Sequence, residues 1–187
     1  LEDAIDLTKI MIEDFLDENG GFFIGSKDAE KLMVRTKSSY DGAIPSGNSV
    51  AVMNLFRLSK ITGNTYFEEI AIKTLKAFSD QVKKSPSGFS HMLSGYMFNH
   101  NNTKELVIVA EKMDKALSNI LDEIQSLYSP NSVILLKTNL NKKLLSKIAP
   151  WTKNHERKNN KITYYLCENF ACKQPTTNLR FIQNSLN

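Results

Sequence analysis

The spacing of apolar residues changes period near residue 104, so one kind of element cannot account for both halves of the chain. Upstream, apolar side chains recur at steps of three and four, the repeat that lines one face of an α-helix. Leu1, Ala4, Ile5, Met11, Ile12, Phe15 and Leu16 predict a helix over residues 1–17, ended by Asn19-Gly20-Gly21. Phe22-Phe23-Ile24 reads as extended, and residues 27–35 fit helix or strand equally. After Pro45, Ser46 or Asn48 can cap a second helix carrying Val50, Met53, Leu55, Phe56, Leu58 and Ile61, which Gly63 ends. Thr65 and Glu68 stand at capping-box spacing before a third helix, which buries Phe67, Ile70, Ala71, Leu75, Phe78 and Val82 and stops before Pro86. A shorter fourth helix is expected over residues 89–99.

Downstream the apolar runs are short and rich in β-branched residues. Glu105–Ala110, Ser132–Thr138 and Ile162–Cys167 read as strands. Between the first two lies a helix with Met113, Leu117, Ile120, Ile124 and Leu127 on one stripe, the pattern of a face buried on a sheet. A short helix over 141–149 precedes Pro150-Trp151, and Thr177 can cap a last helix that runs through Leu186. Strands separated by helices favour a parallel sheet with right-handed crossovers. The expected fold class is therefore mainly α: paired helices over residues 1–103, then a small three-stranded parallel α/β unit over 104–187.

The 187 residues suffice for a sizeable core, and 41% hydrophobic with 24% charged residues excludes a disordered chain. No apolar run approaches the ~20 residues of a spanning helix, so no membrane partner is expected. The chain opens at Leu1 already inside an amphipathic pattern, as a fragment of a longer protein would. The net charge is +4, carried by lysine far more than arginine. Nucleic-acid surfaces favour arginine for bidentate contacts, so no nucleic-acid partner is expected either. The charge is uneven: residues 141–187 hold nine basic side chains against Glu156 and Glu168. Much of that excess lies in Lys153–Lys161, which reads as a solvated loop or as a docking patch for acidic partners.

Cys167 and Cys172 are too few for a secreted disulfide framework. Zinc needs four ligands, and His155 is the nearest histidine, so no metal is expected. Reduced cysteines in a cytoplasmic protein are the default, with a local disulfide as the alternative. The Cys-x4-Cys spacing suits structural cysteines better than a reactive dithiol, although Cys167 and Cys172 stand as redox candidates.

Several motifs recur together in the same order: Asp41-Gly42-Ala43-Ile44-Pro45-Ser46-Gly47-Asn48-Ser49 with the helix after it, and Gly20-Gly21-Phe22-Phe23 upstream. To these add Glu105–Ala110 and Tyr165-Leu166-Cys167-Glu168-Asn169-Phe170-Ala171-Cys172 followed by Pro175. The set resembles the spermatogenesis-associated protein 20 family of thioredoxin-domain-containing proteins. The resemblance implies the C-terminal part of a longer protein with a thioredoxin-like domain and an α/α toroid of paired helices. That toroid is related to six-hairpin glycosidases and N-acylglucosamine 2-epimerases. The implied fold here is an incomplete toroid followed by the α/β unit. The implied partners are the missing N-terminal toroid and thioredoxin-like portions, with self-association through helix faces left open.

The implied chemistry is sugar hydrolysis or epimerisation, with this fragment inactive alone. Asp41 is the candidate acid or base, and Ser46, Asn48 and Ser49 are candidates for holding substrate hydroxyls. In the alternative reading Gly42, Pro45 and Gly47 shape a tight loop, Ser46 or Asn48 caps the helix, and Asp41 bonds loop amides. Glycoside hydrolysis needs a second carboxylate, which would have to come from outside this chain. His91 reads as a packed or capping histidine, and His100 and His155 as residues of polar loops. A second functional class is a non-catalytic redox-linked scaffold, in which Cys167 or Cys172 exchanges with the thioredoxin-like domain. Relatives carry glycine where this chain has Ala110, and no glycine-rich phosphate loop is present. Nucleotide binding through such a loop is rejected, and no cofactor is expected.

Overall fold

A computed structural model describes residues 1–29 and 34–186. The ambiguous stretch 27–35 therefore falls partly, at 30–33, outside the described residues; residues 27–29 form a turn. The chain divides into two compact units, one of residues 1–59 and 64–100, the other of residues 60–63 and 101–187. Among the described residues no helix is long and apolar enough to cross a membrane.

The first unit is helical: α1 (Glu2–Phe15), α2 (Gly47–Thr62, whose last residues belong to the second unit), α3 (Thr65–Lys84) and α4 (Ser90–His100). In α3 the buried set is Phe67, Ile70, Ala71, Thr74 and Phe78, one stripe at helical spacing. Phe78 joins Phe89 and Met92 in a cluster flanked by Leu75 and Val82. The cap of α3 is Asn64, not the expected Thr65. Gly63 has φ +76°, and Asn64 follows in extended conformation with its side chain accepting from the Tyr66 N–H at 3.0 Å. Gly95 of α4 approaches α2 so closely that a Cβ there would lie 2.9 Å from Val52 Cγ1.

The second unit is a sheet with helices on both faces. Its elements are β1 (Lys104–Val109), α5 (Lys115–Gln125), β2 (Ser132–Lys137), α6 (Lys142–Ile148), β3 (Thr163–Glu168), β4 (Ala171–Cys172) and α7 (Leu179–Leu186). The strand order is β2-β1-β3-β4. Residues 106–109 of β1 are buried on both faces, which explains its unbroken apolar run. Leu106 and Ile108 pack with Leu117, Ile124, Ile182 and Leu186 of α5 and α7. On the opposite face, Val107 and Val109 pack with Leu135, Leu145 and Ala149, with Ile61 and Trp151 against them. Each fully buried aliphatic side chain of this kind contributes about 1.5–3 kcal/mol.

The expected three-stranded parallel unit is corrected here: the sheet has four strands and is mixed. β1 and β2 are parallel, Leu106 facing Ile134, but β3 runs antiparallel to β1, with Glu105 opposite Cys167 and Val109 opposite Thr163. The cause is a tether at the carboxyl end of β2. The Lys137 ammonium donates to the carbonyls of Thr152, Lys153 and His155, at 2.7, 3.0 and 2.9 Å. The connection is held at the end where β2 finishes, so β3 starts there and runs back. α6, at seven residues and about 10 Å, is also too short to recross a six-residue strand of about 20 Å. The fourth strand arises from a two-residue turn, Asn169 (φ 51°) and Phe170 (φ 64°), which folds Cys172 back opposite Cys167. Cys172 thus lies in a strand.

Candidate functional site

The Asp41–Ser49 loop places its polar residues inside the helical unit, and nearly all of their hydrogen-bonding capacity is taken by protein. Asp41 is 8% exposed. Its Oδ1 accepts the Ser46 N–H at 2.8 Å, and its Oδ2 accepts the N–H groups of His91 and Met92 at 2.9 and 3.1 Å. Those last two donors open the first turn of α4, where free N–H groups and the helix dipole favour a carboxylate. Burial alone would raise the Asp41 pKa, but the N–H groups of Ser46, Met92 and His91 and the Ser49 hydroxyl outweigh it and hold it below the ordinary value. Ser46 Oγ donates to Ser49 Oγ at 2.9 Å and accepts the Ser49 N–H at 3.1 Å, fixing the start of α2. Asn48 clamps two segments: its Oδ1 accepts the Phe22 N–H at 2.6 Å, and its Nδ2 donates to the carbonyls of Phe22 and Ser38 at 2.9 and 2.8 Å. Among the described residues, no second carboxylate forms a hydrogen bond or ion pair with these four side chains.

A second cluster lies in the α/β unit. Cys167 and Cys172 face each other across the β3–β4 hairpin and are joined by a disulfide. Cys167 is fully buried and Cys172 exposed. His155 lies in a loop, as expected, but is buried. Its ring stacks on Tyr165 with centroids 4.1 Å apart, and Trp151 meets it edge-on at 5.6 Å. His155 Nε2 lies 3.7 Å from Cys172 Sγ, and its Nδ1 is buried without a hydrogen-bond partner. Burial, helped by the Lys137 charge, pushes the His155 pKa down to about 4, so the imidazole is neutral at physiological pH. The ligating atoms of His155, Cys167 and Cys172 lie within 4.8 Å of one another. With the sulfurs bonded to each other there are no thiolates to hold a metal.

Glu105 and Lys137 are buried charged residues that the sequence pattern does not mark. Glu105, on β1 opposite Cys167, is fully buried; its Oε2 accepts the Phe170 N–H at 3.2 Å and its Oε1 has no partner. Burial raises its pKa against the opposing pull of the Phe170 N–H and the Lys60 charge. Lys137, 5% exposed, has its pKa lowered chiefly by burial. Both residues sit at the ends of runs that read as ordinary strands, Glu105 after Lys104 and Lys137 before Thr138, where a charge is ordinarily solvated and gives no signal of burial.

The fold and these clusters define a protein class: a helical unit joined to a mixed α/β unit that carries a cysteine-bridged hairpin. No family model matches the chain. Its sequence is nonetheless similar to spermatogenesis-associated protein 20 of Rattus norvegicus, 33% identical over 180 residues, covering 95% of this chain and 23% of that protein. The human protein of the same name is 32% identical over 161 residues, covering 86% and 20%. An uncharacterized protein of Caenorhabditis elegans is 26% identical over 188 residues, covering 100% and 25%. The chain is homologous to part of spermatogenesis-associated protein 20, in agreement with its motifs, and spans a quarter or less of the length of these relatives.

Proposed function

We propose that this chain serves as a non-catalytic scaffold within a longer protein, and that its chemically exchangeable element is the Cys167–Cys172 bond, opened through Cys172. The observation that carries this reading is the asymmetry of the bond, with one sulfur on a buried residue and the other on an exposed one. An incoming thiolate attacks Cys172 Sγ, the Cys167–Cys172 bond breaks, and Cys167 departs as a thiolate that takes a proton from solvent. A second thiol of the same donor then attacks the mixed disulfide, leaving Cys172 reduced and the donor oxidised. The neutral His155 ring offers no charge to activate a thiol here, so the reactive thiolate has to come from the partner. A thioredoxin-like dithiol, which the family resemblance implies, is that kind of donor. A reducing cytoplasm is the compartment in which such a pair would cycle.

The sugar-processing alternative has less support, because its candidate acid or base, Asp41, has both oxygens engaged by backbone N–H groups. The helical unit also presents an apolar groove of about 410 Å³ between α3 and α4, lined by Leu75, Val82, Met92, Leu93 and Tyr96. We assign it as the scaffold's docking surface for the remainder of the longer protein, because the chain spans a quarter or less of its relatives' length.

The test is a trapping experiment with a thioredoxin-like dithiol whose second cysteine is changed to serine. The expected result is a mixed disulfide mapped to Cys172. An adduct at Cys167, or no adduct on the native protein when the unfolded chain reacts readily, overturns the reading.

A further inference from the structure

The carboxyl ends of β1 and β2 open onto a cavity of about 540 Å³ whose walls carry five basic side chains and a single acidic one. Lys137, Lys142, Lys143, Lys153 and Arg157 line it, with Glu156 as the acidic member. The cavity lies outside the carboxyl ends of the parallel pair β1 and β2, the end of the strands at which open α/β sheets bind ligands.

The strongest observation is Lys137. Its ammonium is buried and hydrogen-bonded only to the neutral carbonyls of Thr152, Lys153 and His155. Among the described residues no carboxylate forms an ion pair with it. An ammonium removed from water without an ion-paired partner is costly; the Glu156 charge on the same wall offsets that cost only in part, and an anion in the adjoining cavity would relieve the rest. The other cations differ in availability. Arg157 is engaged by Glu111 at 2.9 Å, and Lys142 reaches only the Asn139 amide oxygen at 3.3 Å. Lysine binds a phosphate group as a compact point charge, without the fixed fork geometry that arginine imposes.

We infer that this cavity binds the phosphate group of a small molecule, held by Lys142, Lys143 and Lys153 together with the buried charge of Lys137. The ligand is gripped by side-chain cations, a mode distinct from the glycine-loop nucleotide cradle that the sequence lacks. This inference is independent of the disulfide reading.

Calorimetric titration of the oxidised protein with pyrophosphate at low salt tests it, with citrate as the comparison and a Lys143→Ala/Lys153→Ala double variant as the control. Among the described residues the ammonium groups of Lys143 and Lys153 form no hydrogen bond or ion pair, so the variant is expected to stay folded. Saturable pyrophosphate binding, weakened about tenfold or more in the variant and falling with added salt, is the expected result. Three outcomes overturn the inference: no saturable binding up to about 10 mM pyrophosphate, equal affinity in the variant, or citrate binding as tightly as pyrophosphate.

Discussion

Removing the Asp41 carboxylate should unfasten the helical unit. Asp41→Ala deletes an acceptor for three backbone N–H groups, those of Ser46, His91 and Met92. A hydrogen bond to a charged group contributes about 1.5–3 kcal/mol, and losing an N-cap costs about 0.5–2 kcal/mol. The three bonds share one carboxylate and the His91 N–H is only partly buried, so they do not add in full. The expected loss is about 3–5 kcal/mol for alanine and about 2 kcal/mol for asparagine, which keeps one acceptor oxygen. Because the folded pKa lies below the ordinary 3.8, the carboxylate stabilises the fold above that pH and its contribution fades as pH falls through the lower, folded value. The alanine variant should therefore lose its deficit in acid. Hydrogen exchange at the amides of Ser46, His91 and Met92, followed alongside urea unfolding, reads this directly. A change below about 0.5 kcal/mol in the alanine variant, or unaltered protection of those amides, would refute the reasoning.

Acid should weaken the α/β unit through His155. The unfolded side chain takes up a proton near pH 6.5 but the folded one only near 4, so stability falls as pH drops across that interval. The full difference amounts to roughly 3 kcal/mol. A His155→Phe variant, which keeps the stack on Tyr165, should lack this component, and urea unfolding at pH 7 and pH 4.5 compares the two. Gly20→Ala should destabilise the helical unit by about 2 kcal/mol or more, since φ is +93° and the new Cβ would lie 2.5 Å from the Lys73 carbonyl oxygen. Gly47→Ala, with nothing within 4 Å of the added carbon, should be neutral or stabilising by thermal melting.

The helical half was legible because amphipathic period and punctuation agree there: the α3 stripe runs from Phe67 to Phe78, and Gly63 and Pro86 bracket the helix. The polar Asp41–Ser49 loop was legible too as a cluster, and its bonding to loop and helix amides was one of two readings open to the sequence. The direction of β3 was not legible. A buried strand carries the same apolar pattern whether its neighbour is parallel or antiparallel. What decides it here is the Lys137 ammonium, gathering three carbonyls from 15 to 18 residues downstream. The β3–β4 hairpin was hidden for another reason: its turn uses Phe170 at positive φ, a conformation that glycine or asparagine would have signalled. His155 does lie in a loop, as the sequence indicates, but its burial was not legible because it comes from Tyr165 and Cys172, ten and seventeen positions further along.

The place of β1 in the sheet bears on how the chain is made. Both strands that flank it, β2 and β3, are encoded after it. A growing chain thus emerges from the ribosome with its most apolar strand first, and the last residues of β3 follow some sixty positions later, at 168. At about 5–20 residues per second, that interval lasts several seconds; both edges of β1 are open until β2 emerges, and the edge meant for β3 stays open to any passing strand until the end. Nascent-chain handling, rather than the finished fold, is the stage at which this unit is most exposed to misassembly.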